Sequence, residues 1–170
     1  MIILGIDPGY ATVGCGILEY KNGKFRAIDG LAIVTPVEMP FEKRLQVIYH
    51  EVKALMQKIE PDAMAIEELF FSRNQTTGIG VAHARGVILL AAAELDVEPF
   101  EYGPMQVKQA VVGYGNAEKR QVMEMTRRIL SLDSLPRPDD VADALAIAIC
   151  HANTAGANRA RLRAAKEAMR

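Results

Sequence analysis

The first nine residues decide the fold: Met1-Ile2-Ile3-Leu4-Gly5-Ile6-Asp7-Pro8-Gly9. A short apolar run that ends in the turn sequence Asp-Pro-Gly is typical of a buried β-strand, and we predict a strand over 1–6. Two further strands are predicted over 14–20 and 25–34, because Asn22-Gly23 between them is a strong β-hairpin signal. We therefore expect three consecutive antiparallel strands at this end of the sheet.

The remainder of the sequence alternates between helical and strand patterns. Apolar residues recur every three or four positions from Phe41 to Ile59, which predicts an amphipathic helix that ends before Pro61. The other predicted strands cover 63–66 and 99–102, and the other predicted helices cover 81–95, 104–112, 117–130 and 138 to about 152. Right-handed crossovers make the fourth and fifth strands parallel to the first. The expected architecture is α/β, with a mixed five-stranded sheet (three antiparallel strands, then two parallel) flanked by helices.

Length and composition indicate one globular domain. The 170 residues suffice for a single core, and with 50% hydrophobic and 24% charged residues the chain is neither disordered nor fibrous. The longest apolar stretch, 87–93, is far shorter than the ~18 residues of a membrane span, and no basic segment precedes the first strand. We expect no membrane segment and no secretion signal. We place the domain at 1–155 and expect a basic, loosely ordered tail over 156–170.

The cysteines indicate the cellular compartment, and the distribution of charges indicates where acidic and basic residues gather. Cys15 and Cys150 are too few for a disulfide framework and lie in no Cys/His cluster that could hold zinc, so we expect a reducing, cytoplasmic setting. The net charge is −1, yet basic residues outnumber acidic ones five to two over 103–131 and five to one over 150–170. Such an uneven distribution is expected when carboxylates gather at one place and Lys and Arg surround them.

Two acidic residues stand at the ends of predicted strands. Asp7 follows the first strand and Glu67 follows the fourth. If these parallel strands are neighbours, about 5 Å apart, the two carboxylates converge. Asp7 also suits a turn before Pro-Gly, so a structural role is equally open for it. Stability does not explain a glutamate at the end of the apolar strand Ala63-Met64-Ala65-Ile66.

Three more acidic residues open the last predicted helix, in Pro138-Asp139-Asp140-Val141-Ala142-Asp143. Asp140 and Asp143 are three residues apart and Asp139 and Asp143 are four apart, so either pair shares a helix face, and the spacing does not choose between them. Acidic residues in a first turn also complement the helix dipole, which is the alternative explanation.

Carboxylates from separate elements that meet in one place imply a metal site. They repel one another strongly unless cations lie between them. Ligation by oxygen alone favours Mg²⁺ or Mn²⁺. Two such ions about 4 Å apart can activate a water molecule and stabilise the leaving oxygen of a phosphodiester. The residues thus predict a nuclease.

Six blocks, in order along the chain, resemble the RuvC family of bacterial Holliday junction resolvases. They are Ile3-Leu4-Gly5-Ile6-Asp7-Pro8-Gly9 and the segments 65–67, 84–87, 106–113, 117–119 and 140–148, and the match extends to about His151. The resemblance implies an RNase H-like fold, a homodimer, and magnesium-dependent nicking of two opposed strands at a four-way DNA junction during recombination and repair. It also implies the branch-migration proteins RuvA and RuvB as partners.

The resemblance also assigns the metal ligands. Carried over by position, the ligands of two Mg²⁺ ions, for which Mn²⁺ would substitute, are Asp7, Glu67, Asp140 and Asp143. Glu68 and Asp139 then have no catalytic role. The family mechanism is hydrolysis by water, which leaves a 5′-phosphate and a 3′-hydroxyl and forms no covalent protein intermediate.

Four residues are expected to contact DNA: Phe70, Arg73, Lys108 and Lys119. The resemblance implies that the ring of Phe70, rather than that of Phe71, inserts at the DNA junction. Stacking of such a ring on an unpaired base contributes ~1–3 kcal/mol. A ring folded back onto the core is the alternative. Arg73, Lys108 and Lys119 are expected to contact phosphates, with simple solvent exposure as the alternative.

Two further features have open interpretations. The resemblance places the dimer contact along 81–95, whereas burial within the monomer would explain so apolar a helix equally well. Gly14 and Gly16 would allow a DNA backbone to approach closely, or they mark turns and bulges in the second strand.

Two other functions compete with the nuclease. The segment Asp7-Pro8-Gly9-Tyr10-Ala11-Thr12-Val13-Gly14 is similar to the first phosphate loop of actin-like ATPases and sugar kinases, but those need two such lobes and this length provides one. A protein that binds and distorts a junction without cutting it is the other alternative. The four acidic residues at the matched positions argue against it.

Overall fold

The computed structural model describes residues 1–69 and 75–168, with side chains described over 1–69 and 78–155. Its elements are β1 (Ile2–Asp7), β2 (Thr12–Lys21), β3 (Lys24–Val34), α1 (Phe41–Ile59), β4 (Ala63–Glu67), α2 (Gln75–Glu94), β5 (Pro99–Tyr102), α3 (Pro104–Val112), α4 (Lys119–Ile129) and α5 (Asp139–Ala168). The order of strands and helices is the predicted one.

The five strands form one mixed sheet in the spatial order β3-β2-β1-β4-β5. β1 pairs antiparallel with β2, and β2 pairs antiparallel with β3 across the turn at Asn22-Gly23. β1 pairs parallel with β4, and β4 pairs parallel with β5. The expected α/β architecture is confirmed, and the carboxyl ends of β1 and β4 lie side by side at one rim of the sheet.

Helices cover both faces of this sheet. α1 and α2 pack on one face, around strand residues such as Leu4 and Ile6. α3, α4 and α5 pack on the other face, around Ile3 and Leu18. Since successive side chains of a strand point to opposite faces, β1 contributes to both cores. Each fully buried Leu or Ile contributes about 1.5–3 kcal/mol, so the central strand is firmly held.

Helix α5 lies very close to the sheet because three glycines face it. A Cβ atom at Gly5 would lie 2.0 Å from the carbonyl oxygen of Ala144, and one at Gly14 would lie 2.0 Å from that of Asp140. At Gly16 the nearest atom of α5 would be 2.7 Å away. Gly14 and Gly16 therefore make room for this helix, which is a role that the sequence-based interpretations did not include. The irregularity in the pairing of β2 lies between residues 17 and 18 instead.

Two helices extend beyond their predicted bounds. α2 begins at Gln75 rather than at 81, because its first turns contain Thr and Gly, weak helix formers that give no apolar periodicity. The prediction that the last helix ends near 152 was wrong, since α5 continues to Ala168 through an Ala- and Arg-rich segment without proline.

The cysteines and the helices bear on two expectations from composition. Cys15 and Cys150 are both buried free thiols, and burial raises the pKa of Cys15 to about 12. Over 1–69 and 75–168, no helix combines the length and the apolar character that crossing a membrane requires.

Candidate active site

The rim formed by β1 and β4 brings two acidic side chains together. Ile6 pairs with Ile66 in the parallel register, so Asp7 and Glu67, the next residue of each strand, leave the sheet at the same level. Asp7 also lies opposite Gly14 of β2. Both carboxylates are partly buried. The convergence predicted from strand order is therefore present.

Helix α5 brings its first turn to the same rim. The carbonyl of Asp140 packs directly on Gly14, the residue opposite Asp7, so the glycine sets the position of the helix start. Asp143 lies one turn further along and lines the same cavity as Asp7. Asp139 instead pairs with Arg137 at 3.1 Å.

The charges of these acidic residues act on one another. Burial, followed by the neighbouring charges of Glu67, Asp143 and Asp140, raises the pKa of Asp7 to about 7. Burial and then Asp143 raise the pKa of Glu67. The ammonium group of Lys119 opposes both shifts. The four carboxylates predicted as metal ligands thus form one electrostatic cluster, whereas Glu68 is exposed.

One basic residue is part of this cluster. Lys119 Nζ lies 2.8 Å from Asp143 Oδ2. The hydrogen bond to Asp143 raises the pKa of Lys119. Lys119 is the first residue of α4, whose start is fixed by a hydrogen bond from the backbone N–H of Glu118 to Gln121 Oε1 at 2.8 Å. The helix start therefore aims the ammonium group at the acidic rim.

A cavity of about 190 Å³ opens beside the cluster. Its polar lining consists of Asp7, Glu67, Asp143, Lys108 and Lys119. A larger cavity of about 580 Å³, lined by Asp62, Glu98 and His151 among others, opens elsewhere on the molecule. We assign the candidate site to the smaller cavity because charge rather than volume distinguishes it: acidic and basic groups converge there.

The donor set fits a hard divalent cation. The side chains offer carboxylate oxygens only, which suits Mg²⁺ or Mn²⁺ rather than zinc. Over the described ranges 1–69 and 75–168, no three Asp, Glu, His or Cys side chains lie close enough together to hold a metal ion. Carboxylates that share a metal ion come together fully only around the cation.

The residues predicted to contact DNA fall into two groups. Lys108, on α3, is half-buried and lines the cavity together with Lys119. Phe70 and Arg73 lie outside the described residues, as does Phe71. In sequence, Phe70 follows Glu67 by three positions.

Two contributions to the site were missed from the sequence. The glycines that seat α5 had a detectable signal, because Gly14 and Gly16 alternate along one strand and a pleated strand places such residues on one face. The ion pair between Lys119 and Asp143 had none, since 24 residues separate the partners and no periodicity relates them.

Comparisons with known proteins agree with the fold and show the family. A family model described as "Crossover junction endodeoxyribonuclease RuvC" matches residues 3–151. A protein of that name from Alkaliphilus metalliredigens is 56% identical over 154 residues, which are 91% of this chain and 94% of that protein. RuvC of Thermus thermophilus superimposes with a TM-score of 0.86 at 41% identity, covering 93% of this chain and 97% of that one. In complex with a Holliday junction substrate, T. thermophilus RuvC gives a TM-score of 0.87 at 42% identity, covering 91% and 94%.

The matched segment contains every element from β1 to the first turns of α5, and hence all four clustered carboxylates. The identity to relatives far exceeds what a shared fold alone requires. This chain belongs to the RuvC family of crossover junction endodeoxyribonucleases.

Proposed function

We propose that this protein resolves Holliday junctions by symmetric, paired nicking of two opposed DNA strands, in recombination and DNA repair. One observation carries the proposal: four acidic side chains from β1, β4 and α5 meet at one rim, where burial and then the charges of the other three raise the pKa of Asp7 to about 7. That arrangement is costly unless cations complete it, and phosphodiester hydrolysis is the chemistry such a centre supports. Junction binding by a relative supports the substrate.

The carboxylates have a common task in this mechanism. We assign the ligation of two Mg²⁺ ions per site, with Mn²⁺ as a substitute, to Asp7, Glu67, Asp140 and Asp143. Such ions would supply an activated water and would stabilise the charge that develops on the phosphodiester. The protein holds the oxygen ligands on three rigid elements at one rim, so their relative positions are set by the sheet and by the seating of α5. No side chain forms a covalent bond to DNA.

The basic and aromatic residues around the rim hold the DNA. Lys108 and Lys119 line the cavity and each would neutralise a phosphate next to the strand that is cut. We assign Arg73 to a further phosphate contact and Phe70 to stacking at the junction centre, because both follow Glu67 closely in sequence.

A homodimer would place two such sites on one junction. α2 buries Ala84 and Ile88 against the core and directs a second, apolar stripe outward. This stripe runs along one helix face through Ile79, Gly86 and Leu90, and Leu90 is 52% exposed. A two-fold contact along the stripe explains why so large an apolar side chain faces outward, and it suits a junction whose two cuts are related by symmetry.

The dimer contact is tested by Leu90→Glu. A carboxylate there would have to be desolvated in the interface but is harmless in the monomer, so we expect a monomer with unchanged folding. Light scattering after size-exclusion chromatography measures the mass. A variant that stays dimeric would place the contact elsewhere.

The family also supports a cellular setting. RuvA and RuvB are the proposed partners, and the cytoplasm is the proposed compartment because the chain acts on DNA. We propose 1–155 as a single nuclease domain and 156–170 as a basic tail.

Cleavage of a synthetic four-way junction tests the function. We expect symmetric nicks in two opposed strands once Mg²⁺ is added, with ends that a ligase can seal. A linear duplex of the same sequence should remain uncut. Asp7→Asn should bind the junction without cutting it, because one metal ligand and one repulsive charge are lost. Intact junctions under all metal conditions, or cutting of duplex and junction alike, would contradict the proposal.

A further inference from the structure

Lys119 contacts a carboxylate that we assign as a metal ligand. Its ammonium group donates to Asp143 at 2.8 Å and lowers the pKa of both Asp7 and Glu67. It is therefore the positive charge that faces the acidic cluster from α4. Asp139, whose charge also acts on Lys119, pairs instead with Arg137 at 3.1 Å.

An ammonium group and a divalent cation cannot both lie against the same carboxylate oxygen. Two positive charges a few ångströms apart repel, and the ammonium group of Lys119 already lies against Asp143 Oδ2. Asp143 is 28% exposed, so its charge is only partly screened by water. A cation that binds at Asp143 therefore competes with Lys119 for the charge of this carboxylate.

Lys119 can leave without disturbing the fold. Its side chain is 58% exposed on a flexible four-carbon stem, while the start of α4 is fixed by backbone and Gln121 contacts. A phosphate of bound DNA is the anion that would accept the released ammonium group, because Lys119 lines the same cavity as Lys108.

We propose that Lys119 is a built-in competitor of the metal: in the DNA-free protein it holds Asp143 and lowers the affinity for divalent cations, and bound DNA draws it away. The inference rests on the proposed metal-dependent function, which it deepens by coupling metal binding to DNA binding through one side chain. Such coupling is reciprocal, so metal would also strengthen the hold of Lys119 on DNA. The nuclease would then assemble its metal centre mainly on its substrate.

The test measures Mn²⁺ binding to the DNA-free protein by electron paramagnetic resonance. Lys119→Met should bind Mn²⁺ about fivefold more tightly than the wild type, a change equivalent to ~1 kcal/mol. Lys119→Arg keeps the charge and should bind as the wild type does. Lys108→Met removes a charge from the same cavity and should change the affinity less than twofold. Unchanged or weaker binding by Lys119→Met, with its fold verified by circular dichroism, would overturn the inference.

A second measurement adds saturating duplex DNA at low salt. Since DNA would already have released Lys119 in the wild type, the difference between wild type and Lys119→Met should shrink to less than about twofold. A fivefold difference that persists with DNA bound would refute the release step. Junction cleavage by the wild type in Mg²⁺ tests the proposed function separately. If the wild type cuts junctions but Lys119→Met gains no Mn²⁺ affinity, the competition is refuted and the proposed function is not.

Discussion

Asp7 should make the metal-free protein less stable as the pH rises, and Asp7→Asn should remove that loss. In the folded protein its pKa is raised from 3.8 to about 7. Between these values the folded state holds a proton that the unfolded chain has released, so the stabilisation present below pH 4 is lost as the pH rises to about 7. At ~1.4 kcal/mol per tenfold change in the acid constant, the full effect is about 4 kcal/mol. Structural relaxation and water penetration reduce such costs, and we expect roughly half, ~2 kcal/mol at pH 8.

Urea and thermal unfolding in EDTA at pH 5 and pH 8 measure this effect. Asp7→Asn should unfold about 4–8 °C above the wild type at pH 8, and the difference should narrow at pH 5. Millimolar Mg²⁺ should narrow it at pH 8 as well, because a cation stabilises the wild type, with its full set of carboxylates, more than the variant. Asp29→Asn, which changes an exposed carboxyl on β3, is the matched control and should leave the profile unchanged. A variant no more stable than the wild type at pH 8, with the same pH dependence, would refute the electrostatic reasoning.

Three further substitutions probe the seating of α5 and the DNA contacts. Gly14→Ala places a methyl group 2.0 Å from a carbonyl oxygen of α5. It should lower the unfolding free energy by about 1–3 kcal/mol, measured by urea unfolding, and abolish junction cleavage, measured by a nicking assay. Wild-type activity would show that the helix start can shift freely. Lys108→Ala should reduce the slope of log affinity against log salt by about one, and an unchanged slope in a titration of junction binding would remove this residue from the phosphate contacts. Phe70→Ala should impair cleavage and junction opening far more than it lowers the melting temperature. Junction opening is followed by the fluorescence of 2-aminopurine at the branch point. A large drop in melting temperature would place the ring in the core.

The sheet and half of the acidic cluster were predictable because they depend on local signals. An apolar run that ends in Asp-Pro-Gly and a short apolar strand that ends in glutamate place Asp7 and Glu67 at one rim once crossovers are right-handed. These rules need no knowledge of side-chain packing. They hold because parallel neighbours share a direction.

The other half depended on packing that spacing does not contain. By spacing alone, either Asp139 or Asp140 can share a helix face with Asp143. In the structure the Asp140 backbone contacts Gly14 and its charge acts on Asp7, whereas Asp139 pairs with Arg137. The contact between Lys119 and Asp143 joins two helices whose relative orientation is a tertiary property. The start of α2 was placed too late because helix propensity is low for the threonine and glycine residues of its first turns.

The seating of α5 on bare backbone makes the spacing of the nuclease centre a property of the main chain. Where side chains separate a helix from a sheet, an exchange of Val for Ile or Ala changes the distance between them in small steps. At a glycine only a hydrogen atom lies between the two backbones, so no exchange can bring them closer. At the glycine contacts no smaller residue is available, so an exchange there can only push the start of α5 away from β1 and β2. Under the proposed metal ligation, a change in metal preference would come more readily from the ligands themselves or from the cations around the rim.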